Sequence, residues 1–169
     1  YTEKQWGREC PNLPSFIIKR LPTRFIYDNN YFNDRYQGIP EGCYNSFIDK
    51  MLNNTEVVLS TDYNKNRDKY EKLADKIVYT GKIDEYFDYK YGKLEYRTVR
   101  WDNVIKDTDN FQGNAVINYA SKDVPYTRVI EHKHFEPYNK EVQELKKTVI
   151  SYEYSEEWDD TKEGYYPVN

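Results

Sequence analysis

Four stretches in the second half of the chain, 94–101, 114–120, 126–135 and 147–154, alternate apolar or β-branched side chains with polar ones. Side chains of an extended chain point to opposite faces in turn, so each run predicts a half-buried strand. In the first of them Leu94, Tyr96, Thr98 and Arg100 alternate with Glu95, Arg97, Val99 and Trp101. Polar, turn-rich connections join the four, which predicts a mostly antiparallel sheet.

The first half obeys other rules. Pro11, Pro14, Pro22 and Pro40 punctuate residues 8–40, and each proline disfavours helix at and just before itself. The same stretch holds Phe16, Ile17, Ile18, Phe25, Tyr27, Tyr31 and Phe32. So many large side chains on an irregular segment imply either a docked loop or a short helix plus a functional flap. Over 41–54, Tyr44, Phe47, Ile48, Met51 and Leu52 recur at helical spacing and predict one amphipathic helix. Val57–Leu59 and Ile77–Tyr79 read as short buried strands, the latter ending at the turn glycine Gly81, and 66–75 as a charged surface helix. The expected class is therefore mixed α/β (α+β): helix and a long irregular segment first, a mostly antiparallel β-sheet after it.

Composition narrows the function classes. The chain is 38% hydrophobic and 32% charged, which leans toward a solvated polymer, but 19 Tyr, 7 Phe and 3 Trp supply large surfaces for a core. Net charge is −4 and no basic stripe stands clear of acidic neighbours, so a binder of nucleic-acid duplexes is not expected. Cys10 and Cys43 form no CxxC or metal spacing and read as free thiols in a reducing cytoplasm. Asn53–Asn54–Thr55 matches a glycosylation sequon, yet nothing else suggests secretion. No signal peptide or long apolar run occurs, so no membrane association is expected. The opening on Tyr1 and the close at Asn169 give the expectation of an interior segment of a longer enzyme.

Several chemical devices are missing from the sequence: GxGxxG, a Walker-type loop and GxSxG. His132 and His134 would share one face of a strand, half of a metal site, but no further ligands follow and no metal is expected. Glu156–Asp160 could offer paired carboxylates; a solvated acidic turn is the simpler reading. More informative are arginines set singly among aromatics: Tyr1, Trp6, Arg20, Arg24, Tyr27 and Tyr31, then Arg97 and Arg128 on expected strands. A planar guanidinium suits pyrophosphate oxygens and aromatic faces suit a base or sugar ring. Composition alone leaves that reading level with arginines lying over a tyrosine-rich surface.

Longer motifs separate the two. Tyr1–Arg8, Phe16–Arg20, Asp28–Phe32, Asp34–Pro40, Tyr79–Gly81, Tyr86–Tyr89, Glu95–Arg97, Phe111–Ala115, Pro125–Arg128, Ile130–His134 and Tyr165–Pro167 closely resemble, in order, stretches of bacterial UDP-galactopyranose mutases. The resemblance spans essentially the whole chain. It implies an isomerase of galactofuranose biosynthesis for cell-wall or surface polysaccharide, interconverting UDP-galactopyranose and UDP-galactofuranose. In that family reduced FAD carries the chemistry: flavin N5 displaces UDP from the sugar, and the adduct opens, recloses and recaptures UDP. No side chain of this segment is then catalytic.

Carried over motif by motif, the resemblance implies that Tyr1, Thr2 and Trp6 contact the uridine end, with Tyr1 stacking on uracil. Arg20 matches the arginine of a mobile flap and Tyr31 a tyrosine, both reaching the diphosphate. Arg128 matches a second diphosphate arginine, Tyr166 a phosphate-reaching hydroxyl, Asn118 a substrate-site asparagine and Arg97 an arginine near the flavin side. Tyr63 matches a position beside the FAD adenine. The implied organisation is the end of a helical domain plus flap over 1–40, parts of the FAD-binding domain over 41–90, and a sheet substrate domain over 91–169. The main cofactor-binding part would lie outside the chain, leaving the segment inactive alone, and the intact enzyme would be a homodimer. The family's Gly-Gly reads Gly42–Cys43 here, and its Thr-Gly-Pro reads Thr80–Gly81–Lys82. A tyrosine-rich carbohydrate- or single-strand-binding module and a purely structural domain are the competing classes.

Overall fold

The computed structural model describes residues 1–19, 21, 24–28, 30 and 32–168. Its helices are α1 (Thr2–Trp6), α2 (Ser15–Lys19), α3 (Cys43–Met51), α4 (Arg67–Tyr70), α5 (Ile83–Tyr86) and α6 (Lys140–Glu144). Its strands are β1 (Tyr96–Lys106), β2 (Val116–Asn118), β3 (Arg128–Glu131), β4 (Thr148–Glu157) and β5 (Tyr166–Pro167). The chain divides into two compact units, residues 1–41 with 95–169, and residues 42–94.

The first unit is built on a five-stranded antiparallel sheet in the order β2-β3-β4-β1-β5. Its spine is β1 against β4, paired from Arg97 opposite Glu157 to Lys106 opposite Thr148. Residues directly opposite share a face, so the pairings Asn118–Arg128, Arg128–Glu153 and Glu153–Trp101 lay one row across four strands, polar over β2, β3 and β4 and ending on Trp101 of β1. Val129 and Ile150 are buried in the sheet, and Trp6, Leu13, Ile17 and Val168 form an apolar cluster. That cluster explains why the proline-rich stretch folds where it does: α2, started after Pro14, buries Ile17, and a single 3₁₀ turn at Cys10–Asn12 presents Leu13. Beyond α2, Phe25, Tyr27 and Phe32 are exposed.

Helix α1 ends at Gly7, whose left-handed φ of 64° lets its N–H reach Glu3 O at 2.8 Å. A Cβ there would lie 2.8 Å from Arg97 Nη1, so glycine is required for conformation and for space. The FQGNA and IEHKH motifs brace each other. The fully buried Glu131 carboxylate accepts the Phe111 N–H at 3.0 Å and the Gln112 N–H at 2.8 Å. Gln112 Nε2 in turn donates to Asn114 O at 2.7 Å and Val129 O at 3.3 Å. Lys133 anchors the other side of this corner by donating to Asp109 O (3.1 Å), Gln143 O (3.3 Å) and Leu145 O (2.7 Å).

The second unit opens with α3, preceded by Gly42 at φ 77°; Cys43 is also left-handed, at φ 75°. The α3 apolar residues Tyr44, Phe47, Ile48 and Met51, and Leu52 just after the helix, are all exposed. A tyrosine cluster follows: Tyr63 lies parallel to Tyr86 (5°, centroids 6.4 Å) and packs on Tyr79 at 5.6 Å. Arg67 sits over the Tyr86 ring at 5.0 Å and donates to Glu85 O at 3.1 Å.

Four expectations are corrected. Val57–Leu59 and Ile77–Tyr79 are not buried strands: neither segment has a ladder partner among the described residues, and Leu59 is 80% exposed. An unpaired strand cannot satisfy its own backbone, so apolar composition alone does not make one. The charged helix over 66–75 shrinks to the single turn of α4. His132 and His134 do not share a strand face, because β3 ends at Glu131 and the chain enters a 3₁₀ turn over His132–Phe135.

Candidate functional site

Arg128 is the first residue of β3, placed on the polar row by its pairing with Asn118 and Glu153. Its Nε donates to Asn118 Oδ1 at 3.2 Å, its Nη2 to the Tyr1 hydroxyl at 3.5 Å, and its Nη1 lies 3.6 Å from Glu153 Oε2. Burial works against its charge, but the Tyr1 hydroxyl, Glu153 and Tyr166 outweigh that and hold its pKa above the ordinary value. The guanidinium is thus a fixed, permanent cation. Its side chain stays 34% exposed, and a fork of five N–H groups has donors left for an anion.

Around it, α1 supplies Tyr1 as N-cap, the buried Thr2 and the buried Trp6. Trp6 packs against Tyr166 of β5, centroids 5.9 Å apart at 58°. Tyr1, Asn118, Arg128 and Tyr166 therefore converge, with Trp6 beside Tyr166. The group combines a cation, phenolic hydroxyls, a carboxamide and aromatic rings, the set suited to an anion carrying a flat ring.

Arg97 is placed differently. Its side chain is 5% exposed and donates to the Glu157 carboxylate, to Ser155 Oγ at 3.1 Å and to Gln5 O at 3.3 Å. Burial pulls its pKa down while Glu157 opposes the shift. Its donors thus join the last turn of α1 to β4. Glu156 and Glu157 end β4 in ion pairs with Arg100 and Arg97 respectively, which is more order than a solvated acidic turn would have. Arg20 and Tyr31 lie outside the described residues.

Two residues of this site escape a reading by motif. Glu153 is buried, backs Arg128 and accepts from Thr127 Oγ1 at 2.8 Å. An acidic side chain between Tyr152 and Tyr154 on an alternating strand was the available signal, since a buried carboxylate needs a partner. Lys4, whose side chain ties α1 to the β2–β3 connection, left no side-chain pattern at all.

In the second unit Tyr63 lines a cleft of about 420 Å³ with Thr61, Asp62, Asn64, Tyr79 and Gly81. Its hydroxyl donates to Glu71 Oε1 at 3.1 Å, and Asn64 Nδ2 donates to the Tyr79 hydroxyl at 2.9 Å. Any Cβ at Gly81 would run into the Tyr79 ring, 2.3 Å from its oxygen. Ring faces and amide groups of this kind fit a flat heterocycle.

Residues 1–169 match the family described as UDP-galactopyranose mutase. The chain is 38% identical over 173 residues to a dTDP-fucopyranose mutase of Escherichia coli, covering 99% of this chain and 45% of that protein. It is 39% identical over 168 residues to a protein named as a probable UDP-galactopyranose mutase of Klebsiella pneumoniae, covering 99% and 42%. A UDP-galactopyranose mutase of Mycoplasma pneumoniae is 25% identical over 183 residues, covering 100% and 45%. The chain spans less than half the length of these relatives.

Proposed function

Because this chain belongs to the UDP-galactopyranose mutase family, we propose that it forms the substrate-binding part of an isomerase interconverting UDP-galactopyranose and UDP-galactofuranose. The observation that carries the reading is the Arg128 fork, held by Tyr1, Asn118 and Glu153 and faced by Tyr166. A fixed cation backed by a buried carboxylate can bind a diphosphate without reorganising, and it neutralises UDP as a leaving group while retaining it for return.

The remaining roles extend this reading. Tyr1 offers its ring to the uracil, and Thr2 and Trp6 shape the uridine end. Tyr166 and Arg128 take the diphosphate, joined by Arg20 and Tyr31 from the segment after α2, which acts as a flap excluding water. Asn118 orients Arg128 and faces the substrate. Arg97 serves the site by docking α1. Bound FAD supplies the nucleophilic chemistry at the sugar carbon. Tyr63, through the cleft it shares with Tyr79 and Asn64, would hold the adenine end. These 169 residues by themselves are expected to be inactive.

A second reading concerns the nucleotide and sugar. The relative named as a dTDP-fucopyranose mutase is as similar to this chain as the one named for UDP-galactopyranose. Calorimetry on the complete polypeptide, with UDP, dTDP, UMP and a short single-stranded RNA, decides both points. UDP should bind selectively, and Arg128→Ala should weaken it at least about 30-fold, the scale of losing a buried charged partner. A preference for dTDP would move the assignment to the deoxythymidine sugar. Unchanged UDP binding in Arg128→Ala, or equal binding of the RNA, would refute the site.

A further inference from the structure

The Lys4 ammonium donates to three main-chain carbonyls of the β2–β3 connection: Tyr119 O at 2.9 Å, Ser121 O at 3.0 Å, and Tyr126 O. A lysine has three N–H donors and no acceptor, so backbone alone saturates it. Tyr119 directly follows Asn118, and Tyr126 precedes Arg128 by two residues. Between them the Tyr119 N–H donates to Thr127 O at 2.9 Å and closes the hairpin. On α1, Lys4 stands between Tyr1 and Thr2 on one side and Trp6 on the other. A single charge therefore joins the residues assigned to the base to those assigned to the diphosphate.

We propose that Lys4 is a positioning residue for nucleotide binding, setting the spacing of Tyr1 and Thr2 against Asn118 and Arg128 without touching the ligand. The proposal rests on the function given above and adds a residue to it. Without the ammonium, three carbonyl dipoles would converge on one part-buried point and push the connection open. The far end of α1 is held separately, since Arg97 Nε and Ser155 Oγ both donate to Gln5 O. Loss of Lys4 thus loosens the Tyr1 end while the helix stays docked. The nearby pair Lys122–Glu3, at 2.8 Å, is too exposed to substitute for it. An arginine would not restore the geometry, because a planar fork cannot aim at three carbonyls converging on one point.

The test is UDP calorimetry on the complete polypeptide, below its melting temperature, for the parent, Lys4→Met, Lys4→Arg, Tyr1→Phe and Lys4→Met/Tyr1→Phe. Lys4→Met should weaken UDP about tenfold or more, and Lys4→Arg at least about threefold. If Lys4 acts through the Tyr1–Arg128 contact, Tyr1→Phe should cost little further once Lys4 is gone, so the double variant falls within about twofold of Lys4→Met. A residue that merely stabilised the fold would lower the melting temperature and leave the two effects multiplicative. UDP affinity within twofold of the parent in folded Lys4→Met, or multiplicative losses, overturns the proposal. Should Lys4→Met not fold, parent-like affinity in Lys4→Arg overturns it and a threefold loss supports it. A parent that binds no UDP refutes the functional reading and this inference with it; a parent that binds UDP with no Lys4 dependence refutes the inference alone.

Discussion

Replacing Glu131 with glutamine removes one charge and converts one oxygen to a donor. In the folded protein both carboxylate oxygens are engaged: Oε1 accepts from Phe111 N at 3.0 Å, and Oε2 accepts from Gln112 N at 2.8 Å and faces His134 Nε2 at 3.2 Å. A carboxamide can keep one of these sides. If its oxygen stays on Gln112, its NH₂ meets the Phe111 N–H donor to donor, leaving that N–H only its longer 3.2 Å contact with the remaining oxygen. An orphaned buried donor costs about 1–3 kcal/mol, and losing the charge weakens the surviving bond by about 1 kcal/mol, so the total is about 2–4 kcal/mol. For a protein of this size that is a fall in Tm of roughly 5–15 °C. Trp6, Trp101 and Trp158 all lie in the same unit as Glu131, so tryptophan fluorescence during urea unfolding reports on the right region. The pH dependence sharpens the test. Burial alone would raise the Glu131 pKa, but the Gln112 and Phe111 amides, Thr148 and His134 bring it below the ordinary carboxylate value. A depressed acid contributes stability that is complete above its unfolded value and is lost as pH falls through its folded one. The gap between parent and Glu131→Gln should therefore be full at pH 7 and shrink below about pH 4. A gap below about 1 kcal/mol, or one equal at pH 3 and pH 7, would refute the reasoning.

Cys43→Gly should stabilise α3 by about 0.5–1 kcal/mol, since an L-residue at φ 75° carries about 1–2 kcal/mol of strain and glycine returns only part of that as unfolded entropy. Slower amide exchange over 43–51 is the expected result; unchanged or faster exchange counts against it. Gly7→Ala should cost more than about 1 kcal/mol, because it adds left-handed strain to a collision with the Arg97 guanidinium. Fluorescence melting, with Trp6 adjacent, reads it, and an unchanged Tm would show that Arg97 can move aside.

The sheet was legible where alternation was long: 94–101 and 147–154 became parts of β1 and β4, whose pairing needs no information beyond period and partner. Helix α3 was legible from its spacing, though its apolar face is exposed. Val57–Leu59 and Ile77–Tyr79 misled because β propensity reports side-chain fit and not the presence of a neighbouring strand. At the site, Tyr1, Asn118, Arg128 and Tyr166 came from ordered motifs, since single arginines among aromatics carry no unique signal. The row that unites Arg128 with Glu153 depends on strand register, a long-range quantity no local pattern encodes. Lys4 and Lys133 were invisible for a different reason. Their acceptors are main-chain carbonyls, which every residue possesses.

The apolar side chains that reach full burial, among the described residues, belong to the unit of 1–41 and 95–169; within 42–94 the buried side chain is that of Asp84. Residues 42–94 thus have little hydrophobic burial to oppose local opening. They also display Phe47, Met51 and Leu59 as accessible cleavage points for proteases that favour large apolar residues. Proteolysis of these 169 residues is consequently expected to begin within 42–94, and the sheet spine of β1 and β4 would outlast it.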